Sequence, residues 1–448
     1  MMELNYSVLF AVSAATIIIG LILHQRVQAG PERLYLWAFL CGMYIICGFG
    51  SAYVDVPHSY ALTYLIYVIA AGTGFAVVVN IFRVAGARTC RRIDWRLSRI
   101  DATQVCAIGF WVYLVSLSFP LFYPTIRLNL LWNPPAPDLL GVLNNGIVPE
   151  ETIALRLIGY VILLCYPVYL WRLRAYSTRP LRLALAVFGP LYISYCGGGY
   201  ASRGGVLLGI AMYMMLLWRY RYRARKYIVM TLVAVTPLAL IGSAEYATVR
   251  LGRSLSGGNV LDEVSGLVAT ETGLPLNAAV VLESGKRVNL GDLALWAVTL
   301  PLPKILTGSI VTFQPNTDMA ELITNIPQGE GGFSFSLTGI VGESVYFGGP
   351  WFYWFPAVLA GGMFGLLCTL CSRSSQLGGV TVYCVLLWAY VFSRAGLDGG
   401  IPMIVNGLLP FFAVVVFLSR RKTANRAHKD MSTPNARPLV PAHDALQE

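Results

Sequence analysis

Arginines stand at several points of this chain where packing gives little reason for a charge. Arg203 lies in Ala201-Ser202-Arg203-Gly204-Gly205 between two apolar runs, Arg250 and Arg253 follow the end of a third, and Arg394 closes a fourth. A guanidinium stays charged and presents a planar fork of donors that matches phosphate oxygens. Any one of these arginines also reads as a side chain that snorkels to lipid headgroups, or that pairs with Glu245 or Asp398. Three at the rim of one cavity favour anion binding. Glu343 adds a carboxylate inside the apolar, glycine-rich stretch Ile340-Val341-Gly342-Glu343-Ser344-Val345-Tyr346-Phe347-Gly348-Gly349. Desolvation there raises its pKa and suits proton transfer, with a helix cap or a salt bridge as the equal alternative.

The elements that must position these groups are membrane helices. The chain is 56% hydrophobic and 12% charged, against about a quarter charged in a soluble domain. Apolar runs of bilayer length recur at roughly 4–23, 34–54, 60–82, 102–123, 153–171, 183–201, 204–218 and 228–246, then at 351–370, 380–394 and 401–419. The expected fold is an all-α polytopic membrane protein with about 11 transmembrane helices. The first run lacks a basic leader and a cleavage site, and reads as a retained span. The chain divides into a first bundle (1–246), a large outer loop (247–350), a last group of three spans (351–419) and a polar tail (420–448) whose composition predicts disorder. The outer segment 124–152, with Trp132-Asn133-Pro134-Pro135-Ala136-Pro137, cannot be helical throughout. Ser202-Arg203-Gly204-Gly205 reads as a tight turn joining two spans. Leu293 to Phe313 is apolar but broken by Pro301 and Pro303, which suits an interfacial or re-entrant element better than a span. If it does cross, residues 334–347 must cross too.

Charge orients this layout. The short segments 24–33, 83–101, 172–182, 219–227, 371–379 and 420–448 hold 24 of the 33 lysines and arginines and only six of the 22 acids. Basic short loops stay cytoplasmic. The N-terminus is therefore expected outside and the C-terminus in the cytoplasm of a multi-pass membrane protein. The net charge of +11 thus reports topology, and no nucleic-acid partner is expected. The nine cysteines avoid the large outer loop, so no disulfide framework is implied. Cys368 and Cys371 form a single CxxC that reads as core packing, and no spacing resembles a metal site, so neither a metal nor a cofactor is expected. There is no GxSxG elbow and no Walker A loop. The spans carry almost no deep ionisable residue, which disfavours an ion-coupled transporter. The outer aromatics (Trp132, Trp296, Phe333, Phe335, Trp351, Tyr353 and Trp354) fit either an interfacial belt or sugar stacking, and the Trp351–Trp354 cluster reads better as the belt.

Four stretches resemble the O-antigen polymerase (Wzy-type) oligosaccharide repeat-unit polymerase superfamily. They are Ala201-Ser202-Arg203-Gly204-Gly205 before an apolar span, Arg250 after the next one, Leu300-Pro301-Leu302-Pro303-Lys304 in the large loop, and Gly339 to Pro350 entering a late span. The resemblance implies a metal-independent glycosyltransferase of GT-C-like architecture with a periplasmic outer loop. Its substrate would be a polyprenyl-diphosphate-linked oligosaccharide repeat unit taken from among the membrane lipids. An acceptor hydroxyl would attack the anomeric carbon of the donor chain, and polyprenyl diphosphate would leave. The roles that follow are Arg203 and Arg250 stabilising charge on the leaving group, with Glu343 as general base or orienting group. Arg253, Arg394, Tyr346 and Lys304 would bind substrate, Tyr346 by stacking on or bonding a sugar. A chain-length regulator is a typical partner of that family. The alternatives are the related O-antigen ligase-type transferase, which the resemblance also allows because it shares the donor, a transporter of lipid-linked glycan, and a non-catalytic scaffold.

Overall fold

The computed structural model describes residues 3–27, 30–99, 102–119, 153–196, 203–220, 225–227, 230, 268, 272–300, 302, 313–330, 333, 336–372, 374 and 376–418. Expectations that fall on 124–152, on 420–448, and on all of 228–246 but Met230 lie outside these residues. The described residues are helical, with one isolated backbone bridge between Leu4 and Tyr53. In chain order the helices are α1 (Tyr6–Arg26), α2 (Glu32–Met43), α3 (His58–Arg99), α4 (Ala102–Ser118), α5 (Ile153–Leu173), α6 (Pro180–Cys196) and α7 (Arg203–Tyr220). Then come α8 (Leu274–Ser284), α9 (Leu290–Thr299), α10 (Pro315–Thr324), α11 (Gly339–Phe352), α12 (Trp354–Ser372), α13 (Gly378–Leu386) and α14 (Ser393–Met403). Wider π-turns extend α2 at Tyr44–Gly48, α13 at Leu387–Phe392 and α14 at Ile404–Leu408.

Six described helical stretches are long and apolar enough to cross a membrane: Tyr6–Arg26, Glu32–Ala52, His58–Phe82, Leu157–Tyr176, Trp354–Ser372 and Gly378–Leu418. At 1.5 Å per residue a straight helix over the last of these would far exceed a bilayer core of about 30 Å. It does not run straight. Gly396, at φ 67° and ψ −161°, breaks it. The two legs fold back on each other, and the Tyr383 hydroxyl meets the Met403 sulfur at 3.4 Å. The break falls between the two apolar runs at 380–394 and 401–419. One sequence expectation is corrected: Arg203 to Gly205 do not form a turn but open α7. The apolar run from Val206 sustains the helix back through two glycines that alone disfavour it.

The bundle has two chemically distinct ends. At one, Arg219 donates to the Tyr35 hydroxyl (2.8 Å) and the Ser372 carbonyl (3.1 Å), Arg174 bonds Gln376, and Asn80 reaches the Arg26 carbonyl (3.0 Å). These residues come from, or adjoin, the basic segments that the charge pattern placed on one side. At the other end the Asn5 side chain caps α1, the Asn5 N–H reaches the Ala52 carbonyl (2.7 Å), and the Tyr53 hydroxyl pairs with Thr272 (2.6 Å).

Between the ends the core is aromatic. Trp388 is fully buried, stacks on Phe392 (4.2 Å between centroids) and on Phe364 (5.5 Å), and donates its indole N–H to the Ala360 carbonyl (3.1 Å). Close backbone approach holds α12 to α3. A Cβ at Gly361 would overlap the Ala71 carbonyl, the small-residue contact that membrane helices use in place of a hydrophobic driving force. Trp351, Phe352, Trp354 and Phe355 are exposed around the α11–α12 junction, as an interfacial belt requires.

Candidate functional site

The site is built on the Gly396 break. Backbone that leaves helical geometry frees N–H groups, which a membrane protein tolerates only where protein or water receives them. Here the receiver is Glu343. Its carboxylate accepts the N–H of Leu397 on one oxygen and that of Asp398 on the other (3.0 Å), at the start of the second leg. Glu343 is 0% exposed. A carboxylate at a helix start is also favoured by the helix dipole. Burial nonetheless pushes its pKa up from 4.5 to about 8, with Asp398 adding to the rise and the two N–H bonds opposing it. This geometry is that of the helix cap, one of the readings the sequence left open.

Gly396 has no alternative at its position. Its φ lies in the left-handed region, and a Cβ would come within 2.6 Å of the Glu343 carboxyl carbon and 2.9 Å of its Oε1. Gly339, at φ 66°, starts α11 against the Ser393 carbonyl and Cys47 of the α2 π-turn. Cys47 in turn donates its thiol to the Ser393 carbonyl (3.4 Å). Two backbone breaks thus lock α11, α14 and the end of α2 together, and Arg394 sits half-buried two residues before the second break.

A second layer covers this junction. The Asn316 side chain, at the start of α10, donates to the Ala395 carbonyl (3.4 Å), next to Arg394. The Tyr346 hydroxyl, one turn beyond Glu343 on α11, donates to Asp318 of α10. Burial and the Asp318 carboxylate together raise the Tyr346 pKa. The strap 285–289 crosses the end of α11: Val288 N–H bonds the Tyr346 carbonyl (3.0 Å), and the Arg287 guanidinium lies on Gly349 where α11 kinks. Between strap and α10 opens a cavity of about 250 Å³, lined by Lys286, Asp318, Glu321, Asn325 and Tyr346 with Leu322, Ile326 and Pro327.

No protein-family model, curated protein or solved structure matches the chain. The chemistry of the site therefore has to be read from its own residues. Of the residues singled out in the sequence, the structure brings Glu343, Tyr346 and Arg394 to one end of the bundle. Arg203 is the first residue of α7, with its side chain outside the described residues, and Arg250, Arg253 and Lys304 lie outside them entirely. Helix α9 stops at Thr299, just before Pro301, as the proline break requires.

Asp318, Lys286 and Arg287 also reach this junction, although the sequence alone did not single them out. The available signal was slight: Lys286-Arg287 is the one adjacent basic pair in 247–350, and Asp318 sits in the first turn of a helix opened by Pro315. Cys368 and Cys371 are fully buried in the core near the opposite end.

Proposed function

We propose that this protein is a membrane glycosyltransferase that polymerises polyprenyl-diphosphate-linked oligosaccharide repeat units, in the manner of the O-antigen polymerases it resembles. The observation that carries the reading is the broken hairpin at Gly396. Its break is capped by a buried carboxylate, and Asn316 of α10 bonds the residue after Arg394. Broken helix backbone at membrane depth is tolerated where it is buried in protein or lines a water-filled cavity, and ionisable residues beside it mark candidate substrate sites.

In this reading Arg394, with Arg203 at the first turn of α7 and Arg250, holds the diphosphate and stabilises the charge that builds on it as the glycosidic bond to phosphate breaks. Helix N–H groups beside Arg203 favour the same anion. Glu343 acts as a positioning residue: it holds the break that places Arg394, and its two oxygens are committed to backbone N–H groups. The acceptor hydroxyl attacks the anomeric carbon, the anomeric bond to phosphate oxygen breaks, polyprenyl diphosphate departs with the bonding electron pair, and the hydroxyl proton passes to the departing diphosphate or to water. Eleven spans, a periplasmic large loop and an inner-membrane location belong to the same proposal.

Deletion of the gene tests it. Surface glycan and lipid-linked intermediates are resolved on a gel. Glycan limited to zero or one repeat, with no ladder, supports the polymerase. Long polymer retained on the carrier lipid assigns the ligase instead, and an unchanged pattern of both refutes transfer chemistry altogether.

A further inference from the structure

We infer that the cavity between the 285–289 strap and α10 is a subsite for one neutral pyranose of the glycan, gripped through Asp318. The identity of its ligand as part of a glycan rests on the function proposed above. The geometry supplies the rest.

At about 250 Å³ the cavity is smaller than the roughly 300–1,000 Å³ that takes a drug-sized ligand, so it admits one sugar ring and not an oligosaccharide. Its lining alternates polar and apolar groups. Leu322, Ile326 and Pro327 offer surfaces for the C–H faces of a sugar, and Lys286, Asp318, Glu321 and Asn325 offer bonding partners for its hydroxyls.

The two carboxylates are held in the way a binding site requires. Asp318 spends Oδ2 on the Tyr346 hydroxyl, and Glu321 spends Oε1 on the Gln328 N–H (2.9 Å). Each is thereby fixed while its second oxygen is left to accept a ligand hydroxyl. Asn325 stands at the cavity wall in left-handed backbone (φ 56°), an uncommon conformation outside glycine that turns the chain at the end of α10. Among the lining side chains two carboxylates face one ammonium, so a neutral sugar suits the cavity better than a phosphate or a uronate. The diphosphate of the proposed donor then sits on the arginine side of the junction. Asn316, two residues before Asp318, already touches the residue after Arg394, so a sugar here lies beside that anion site.

The test uses the full-length protein in lipid nanodiscs and saturation-transfer NMR. The probes are the methyl glycosides of glucose, galactose, N-acetylglucosamine and glucuronic acid at millimolar concentration. The expected result is transfer to at least one neutral glycoside and none to the glucuronide, with the signal lost at least tenfold in Asp318→Asn. That variant keeps an oxygen for Tyr346, and Glu321→Gln keeps one for Gln328, so either reports if the other fails to insert. Absence of transfer to every neutral glycoside, equal transfer to the glucuronide, or an unchanged signal in an inserted variant overturns the subsite. These outcomes separate from those of the gene deletion. A lost ladder with no sugar binding here leaves the polymerase standing without this subsite. An unchanged glycan pattern with Asp318-dependent binding removes the polymerase and leaves a sugar site.

Discussion

Replacing Gly396 with alanine should be among the most damaging single-methyl changes in the protein. Two costs add. At φ 67° and ψ −161° an L-residue is strained, by about 1–3 kcal/mol. The new Cβ also lands 2.6 Å from the Glu343 carboxyl carbon and 2.9 Å from its Oε1, so the buried carboxylate must move off the Leu397 and Asp398 N–H groups. At pH 9, above the raised Glu343 pKa of about 8, these are hydrogen bonds to a charged group and contribute about 1.5–3 kcal/mol each. Taking the low end of each contribution gives ~4 kcal/mol. The assay is the thermal midpoint of the purified protein in detergent, read as loss of the monodisperse peak. Gly159→Ala is the control: nothing lies within 4 Å of a Cβ there, and a helical glycine replaced by alanine should gain about 0.5–1 kcal/mol. The double variant Gly396→Ala/Glu343→Ala relieves the clash and should cost less than the two single changes together. A Gly396→Ala midpoint equal to that of Gly159→Ala would refute the capped break. So would costs that add within about 0.5 kcal/mol, because residues in contact should couple more strongly than that.

Other consequences are equally direct. Burial holds the folded-state pKa of Glu343 at about 8 against an ordinary 4.5, so the folded protein binds this proton more tightly than the unfolded chain. That contribution to stability is full below about 4.5 and is lost as pH rises through 8. The midpoint should therefore fall between pH 6 and pH 9, and fall less in Glu343→Gln; a rise over that range would mean that the two N–H bonds outweigh burial. Tyr346→Phe removes the donor to Asp318 and should lower the midpoint by an amount equivalent to about 1–2 kcal/mol, and an unchanged midpoint would show that bond to be idle. Arg203→Ala should abolish polymer while the protein still inserts, as read by a glycan ladder beside a membrane blot; a normal ladder would remove Arg203 from the site.

The cap shows where sequence reasoning stops. Glu343 could be picked out as an unusual carboxylate because the residues around it are apolar. The same pattern fits a proton acceptor and a helix cap, since both want a carboxylate away from water. Its partners are 54 and 55 residues further along the chain, and no local spacing reveals such a pairing. The Asp318–Tyr346 bond, 28 residues apart, was hidden for the same reason. Asp318 is one of several acids in a loop whose composition reads as solvated. At Arg203 local chemistry misled: Gly204-Gly205 suggests a turn, but helix formation is cooperative, and the apolar run that follows carries α7 back over them.

What the sequence by itself determined is the class of the molecule and which of its basic segments share one end. Bilayer-length apolar runs demand helices, because backbone groups in lipid have only each other to bond, and the basic short segments separate one end from the other. Both are properties of residue type summed along a local stretch. Only the tertiary structure decided what happens at the polar end: that a 41-residue apolar stretch folds back at Gly396, that Glu343 receives the N–H groups the fold exposes, and that α10 brings Asp318 to Tyr346 beside Arg394. Those outcomes depend on which distant segment meets a broken helix. That choice is set by burial and by the need to satisfy every polar group, which are properties of the packed chain and not of any stretch of it.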